Sequence, residues 1–248
     1  MDEQDHVQPG RGQARPHLQA MSSRALDSHH PDQPQPPAVL RPLLKQFGHP
    51  SGWLGRLAGV LMARGAEDDH WVVDLLDVQP HDRVLEVGFG PGVAVELLAR
   101  RASSGLVAGV DPSEVMLRQA IKRNREAIRA GRVRLQLGSV SALPYRDASF
   151  TKACAIHSLY FWPSIEDGLR ELQRVLQPQA TLVIAVRMRR PRASRLNPSR
   201  YGMGDQELVE LGRLLEDSGF GEVETHEREL PRETLAALKA RRRSGALR

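Results

Sequence analysis

The chain reads as an α/β protein built on a doubly wound, mostly parallel sheet, and three features predict it. Short apolar runs recur near 83–87, 106–110, 133–137, 151–156 and 181–187, separated by helical patterns near 92–102, 113–129, 164–176 and 205–218. Alternation of this kind gives parallel strands covered by helices on both faces. The first run, Arg83-Val84-Leu85-Glu86-Val87, empties into Gly88-Phe89-Gly90-Pro91-Gly92, a turn whose backbone can lie against a ligand with no Cβ in the way. The second run ends at Asp111, 19 residues past Gly92, where a carboxylate at a strand tip can accept hydrogen bonds from ribose hydroxyls. Together these describe a nucleoside-containing ligand lying across the switch point of the sheet.

The elements follow in order. Residues 1–40 are rich in Pro, Gln, His, Arg and Ser and show no apolar period, so a disordered N-terminal tail is expected. Met21 offers an alternative start, and His29-His30 is too isolated for a metal site. Residues 41–80 read as a helical cap: Trp53, Leu57, Val60 and Leu61 recur at helical spacing, as do Trp71, Val72, Leu75 and Leu76. The core is expected over 81–248. Within it Ile165, Leu169, Leu172 and Leu176 line one helical face, with Ser164 and Asp167 forming an N-terminal cap. Gly219 stops the last long helix, and Val223 and Thr225 alternate within a strand over 221–227. Glu233 to Lys239 has the composition of a helix.

The spacing of the glycines narrows the ligand. A dinucleotide loop is G-x-G-x-x-G/A, yet Val93 stands where the third small residue belongs, and a count from Gly90 meets Val95. The loop is instead G-x-G-x-G, with Glu86 two residues before its first glycine. It resembles motif I of the class I S-adenosylmethionine (SAM)-dependent methyltransferases. Gly109-Val110-Asp111-Pro112-Ser113-Glu114-Val115-Met116-Leu117 resembles motif II of that family, and the stretch from Leu137 to Phe150 resembles its "GDA..LPF.D..FD" segment. Ala153 to Pro163, Ser164 to Leu176 and Thr181 to Val186 are similar to the strand, helix and strand that follow. The resemblance runs from about Trp53 onward and is nearest the menaquinone/ubiquinone-biosynthesis-like branch, methyltransferase type 11.

That resemblance implies a Rossmann-like doubly wound sheet, mostly parallel with an antiparallel last strand, and an N-terminal helical cap. It implies that the segment from Glu233 is that last strand despite its helical composition. It also implies S-adenosyl-L-methionine as cofactor, held by Glu86, Gly88, Gly90, Gly92, Asp111, Met116, Ser139 and Val140, with Asp111 on the ribose and Met116 near the adenine. Two departures stand out. Ser139 replaces an Asp that usually contacts the adenine amino group, which leaves a neutral acceptor there. Gln177-Pro178-Gln179-Ala180 replaces "KPGG" in a turn away from the ligand.

Composition excludes several classes. No run approaches the ~20 apolar residues of a membrane span, and no apolar segment at the N-terminus reads as a secretory signal, so a cytoplasmic location is expected. The one cysteine, Cys154, falls in a strand as a small hydrophobe, which excludes a disulfide framework and a thiolate metal site. It also argues against the metalloid methyltransferases, which bind their substrate through several thiolates. The 35 basic and 30 acidic residues leave a charge of +5, and the excess is local. Arg187, Arg189, Arg190, Arg192, Arg195 and Arg200 form an acid-free stretch, and Lys239, Arg241, Arg242, Arg243 and Arg248 crowd the C-terminus. Such runs are more often solvated loops than phosphate sites. The expected partner is a small molecule rather than nucleic acid, and a homodimer stays open.

Substrate chemistry falls to the loop after the fourth strand, Ile156-His157-Ser158-Leu159-Tyr160-Phe161-Trp162-Pro163. It lacks the [ND]-P-P-[YF] of base-directed amino methyltransferases, the acid pair of arginine methyltransferases and the metal-binding Asp of catechol-type enzymes. His157 offers an imidazole able to take a proton near neutral pH. The alternative is a histidine that binds backbone or cofactor and moves no proton. With 3 Trp, 3 Tyr and 5 Phe in the whole chain, the aromatics Tyr160, Phe161 and Trp162 in one loop suggest an apolar substrate wall, to which Trp53 is a candidate addition. The reading is methyl transfer to a small apolar or aromatic acceptor at oxygen or carbon. The alternatives are an RNA methyltransferase using the Arg187–Arg200 segment and a non-catalytic SAM-binding protein.

Overall fold

The computed structural model describes residues 66–189, 202–230 and 233–245. The expected tail over 1–40, Trp53 and the first helical period of the cap lie outside them. The described chain runs α1 (Ala66–Leu76), β1 (Arg83–Val87), α2 (Val93–Arg101), β2 (Leu106–Asp111), α3 (Glu114–Arg123), α4 (Arg125–Arg129), β3 (Val133–Leu137), β4 (Phe150–Ile156), α5 (Ile165–Val175), β5 (Leu176–Arg187), α6 (Asp205–Asp217), β6 (Phe220–Glu229) and β7 (Thr234–Arg242). A single 3-10 turn, Leu159–Phe161, follows β4.

One seven-stranded sheet carries all the strands of the described residues, in the order β3-β2-β1-β4-β5-β7-β6. β1 pairs in parallel with β2 and β4, β2 with β3, and β4 with β5, while β7 is antiparallel to both β5 and β6. The chain winds outward from β1 in two directions, and sheets of this order place ligands beyond the ends of the two strands at the switch, here β1 and β4. Neighbouring strand residues divide between the faces. Leu85 and Val87 join one apolar cluster with Leu182, Ile184 and Leu172, whereas Val84 joins another with Val183, Leu98 and Val72. Both faces are dry, as a parallel sheet requires. Cys154 is fully buried among them.

Local chemistry shapes the elements. Ser164 Oγ accepts from the Asp167 N–H at 3.1 Å, the expected cap, and α5 buries Leu169, Leu172 and Val175. Leu176, expected on that helix, instead opens β5 by pairing with Phe150. The expected single helix over 113–129 breaks at Asn124, whose side-chain amide donates to the carbonyls of Ala120 and Gly92, both at 3.0 Å. Glu233 to Lys239 lies largely within a strand, as the resemblance implied. Leu235, Ala236, Ala237 and Leu238 are all buried between β5 and β6, and tertiary burial outweighs helical propensity there. At the "KPGG" departure Gln179 has φ +66, a left-handed backbone at a position where the family carries glycine.

α1 is held against the sheet at its C-terminus by Lys152 of β4. Its Nζ donates to the Leu76 carbonyl at 2.8 Å and to that of Asp77, and lies 3.5 Å from Asp82 Oδ2. A cation is favourable at the orphan carbonyls of a helix end. Thr151 braces the same corner, its hydroxyl donating to Asp82 Oδ1 at 2.7 Å. Lys152→Met should therefore strand the carbonyls of Leu76 and Asp77 and the Asp82 carboxylate, and lower stability by about 2–3 kcal/mol, read as a reduced urea midpoint.

Candidate active site

The glycine loop begins where β1 ends. Gly88, Gly90 and Gly92 all have positive φ, at +76°, +51° and +79°. At Gly88 a Cβ would meet Ser158 Cβ at 2.3 Å, so this loop and the one after β4 are in direct contact. Ser158 seals the contact by donating its hydroxyl to the Val87 carbonyl at 2.7 Å. At Gly90, by contrast, nothing stands within 4 Å of the site of a Cβ. That open space is what a ligand pressed against backbone needs. Gly92 packs instead on Ala120 and Asn124 of the α3–α4 break.

Asp111, at the tip of β2, uses its carboxylate on the loops. Oδ2 accepts from Gly90 N–H at 2.9 Å and Oδ1 from Ser113 N–H at 2.8 Å. A carboxylate has capacity for further donors, so ribose contact is compatible with both bonds. Glu86 is 2% exposed, and its Oε2 has no hydrogen-bond partner among the described residues. Burial first, then the charges of Asp69 and Asp111, push its carboxyl well above the usual range. An orphaned buried acid beside an open glycine loop fits a ligand that brings donors and positive charge, as the α-ammonium and sulfonium of SAM would.

Other expected contacts sit differently. Met116 is buried in the first turn of α3, where its N–H donates to Ser113 Oγ. Ser139 is half-buried, its hydroxyl accepting from Ser141 N–H at 3.3 Å, and Val140 packs in the core near Gly168. The aromatics of the loop after β4 separate. Tyr160 and Phe161 are 43% and 40% exposed and meet edge to face, while Trp162 turns inward onto Gly168. Tyr160 Oη donates to the Arg187 carbonyl at 2.9 Å and accepts from its N–H at 3.1 Å. Burial of that hydroxyl pushes it up to about 12, so it does not serve as a base near neutral pH.

His157 stands one residue from the Gly88 contact. Its φ is +54, and its N–H donates to the Ala185 carbonyl at 2.9 Å. Its Nε2 lies 3.0 Å from Oδ2 of Asp68, in the first turn of α1, and its Nδ1 is buried with no partner among the described residues. Asp69 adds a second acid: burial, then the charge of Asp68, raises its carboxyl from 3.8 to about 7, against the lowering effect of Arg123. Nothing in the sequence marks these two acids. Carboxylates in a first helical turn are ordinary surface residues that suit the helix dipole.

The strand order is that of the class I methyltransferase fold. Residues 85–184 match the methyltransferase domain family. The Bacillus subtilis (strain 168) protein YrhH is 30% identical over 118 residues, which cover 48% of this chain and 64% of that one. A 2-phytyl-1,4-naphtoquinone methyltransferase of Synechococcus elongatus is 39% identical over 114 residues, 46% of this chain and 48% of the enzyme. The matched stretch thus spans less than two thirds of either relative. Among solved structures, a SAM-dependent methyltransferase from Aquifex aeolicus superposes with a TM-score of 0.58 over 71% of this chain and 89% of that one, at 22% identity, a likeness of fold.

Two outcomes follow from the site. Gly90→Ala places a Cβ in the open space at a φ that costs a side chain about 1 kcal/mol. The fold should survive, and calorimetric titration should show affinity for S-adenosylhomocysteine falling at least about tenfold; unchanged affinity would remove the loop from the site. For Asp69 the raised folded-state value means the folded chain keeps a proton that the unfolded chain loses, so its contribution to stability falls as pH rises from 3.8 to about 7. Asp69→Asn should abolish that loss and be the more stable protein at pH 8, by on the order of 3 kcal/mol, in urea unfolding compared between pH 5 and pH 8.

Proposed function

We propose that the protein transfers a methyl group from SAM to a small apolar or aromatic acceptor at oxygen or carbon. The observation that carries this reading is the bare, buried Nδ1 of His157 one residue from the glycine-loop contact. Glu86, Gly88, Gly90 and Asp111 would hold the cofactor, with Met116, Ser139 and Val140 bordering its adenine end. Bound SAM supplies an electrophilic methyl, to which the acceptor atom forms its new bond while the carbon–sulfur electron pair stays on sulfur. His157 takes the proton of an acceptor hydroxyl or acidic C–H. Tyr160 and Phe161 leave aromatic surface exposed on the same loop. The name of the Synechococcus relative, a naphthoquinone methyltransferase, supports an aromatic acceptor.

RNA as acceptor is disfavoured. Arg187 and Arg189 of the basic stretch turn to Glu233 and Glu207 respectively, the second pair at 2.9 Å, which neutralises two of its cations. The rest of that stretch lies outside the described residues.

The test is incubation with methyl-labelled SAM and a panel of quinols, phenols, amines and a transfer-RNA transcript. Label should enter a quinol or phenol. With that acceptor, His157→Gln should lower kcat about 10²-fold or more while affinity for S-adenosylhomocysteine stays within about twofold. Label entering RNA alone would overturn the reading, as would full activity of the variant.

A further inference from the structure

Asp68 and His157 are 89 residues apart in the chain, yet their side chains meet at 3.0 Å. Asp68 is the more deeply covered, its side chain 8% exposed against 25% for His157. A carboxylate oxygen only accepts, so Nε2 of His157 carries the ring proton in this bond. In a neutral imidazole that leaves Nδ1 as the bare acceptor. The backbone that carries the ring is held as well, in a left-handed conformation with its N–H bonded to Ala185, and Ser158 beside it is bonded to Val87.

We infer that Asp68 is a positioning residue, holding His157 in the Nε2-protonated tautomer so that Nδ1 receives the acceptor's proton. This role rests on the methyl-transfer reading of the same site, and it narrows the substrate class to acceptors whose methylated atom must first lose a proton: phenols, quinols, enols and their carbon-nucleophile forms. The O–H bond breaks, its proton goes to Nδ1, and its electron pair remains on the acceptor to form the bond to the methyl carbon. The positive charge that appears on the ring sits against the Asp68 carboxylate, and the proton returns to water after product leaves.

Asp68 has a competing structural role. It ties the N-terminal turn of α1 to the end of β4, as Lys152 ties the C-terminal turn to the same strand. A tether would show in stability alone, whereas a positioning residue shows in the tautomer.

The experiment labels histidine with nitrogen-15 in the full chain and identifies the His157 signals by their loss in His157→Gln. Wild type should show a protonated Nε2 and an unprotonated Nδ1. In Asp68→Asn the tautomers should mix, since an amide donates to Nε2 as readily as it accepts from it. kcat should fall at least about tenfold with affinity for S-adenosylhomocysteine within twofold, and Asp68→Glu should recover the wild-type tautomer and part of the rate. An unchanged tautomer in Asp68→Asn, or a defect confined to the unfolding midpoint with full kcat, overturns the role and leaves a tether. The tautomer is read without cofactor or acceptor, so failure of the methyl-transfer reading, seen as no labelled product from any acceptor, is distinguishable from failure of the pair.

Discussion

A loop with three left-handed residues in five does not hold its shape unaided, and Asp111 supplies the restraint. One oxygen of its carboxylate draws in the N–H of Gly90 and the other the N–H of Ser113. The first bond fixes the loop after β1, and the second fixes the entry to α3. Because Asp111 is buried at the strand tip, both bonds form where water competes weakly and charged hydrogen bonds are strong. The rest of the site is arranged from this junction. Gly88 lies against Ser158, Ser158 is bonded to Val87, and His157 is thereby set beside the loop. One acid thus organises the backbone on which the proposed cofactor contacts depend.

The acids around that junction come with an electrostatic cost. Glu86 and Asp69 are both pushed toward their protonated forms, chiefly by burial, then Glu86 by Asp69 and Asp111 and Asp69 by Asp68. A chain selected for stability alone would not gather carboxylates in a dry crevice. A cationic ligand changes the balance, because its charge offsets their mutual repulsion at the moment it binds.

Much of this was legible in the sequence and some could not be. The glycine spacing, the acid at the end of the second apolar run and the alternation of strands and helices are local patterns, and each has a local physical cause. The helix break at Asn124 was not legible, because the side chain that makes it depends on the Gly92 carbonyl, 32 residues away. Nor was the extended form of the segment after Glu233, whose residues favour helix until β5 and β6 bury them on both sides; only the resemblance pointed to it. Asp68 was hidden for a related reason. Its partner is made by the fold, and in sequence it is one of three consecutive acidic residues, Glu67, Asp68 and Asp69, in a first helical turn. His157 could be singled out as a residue type, but its left-handed backbone and its carboxylate partner could not.

The strand order carries one more consequence, for how the chain comes together as it is synthesised. Among the described residues β6 pairs with β7 alone, and β7 fills the gap between it and β5. Until the residues through Arg242 have left the ribosome, β5 is an open edge whose run from Thr181 to Val186 is apolar on both faces, and β6 has nothing to join. The five parallel strands can assemble first, but the sheet closes only once β7 has emerged, by a strand inserting between two waiting partners. During that interval β5 is the surface most exposed to pairing with a neighbouring chain, and the dense charge along β6, from Glu222 to Glu229, helps to keep its own edge from doing the same.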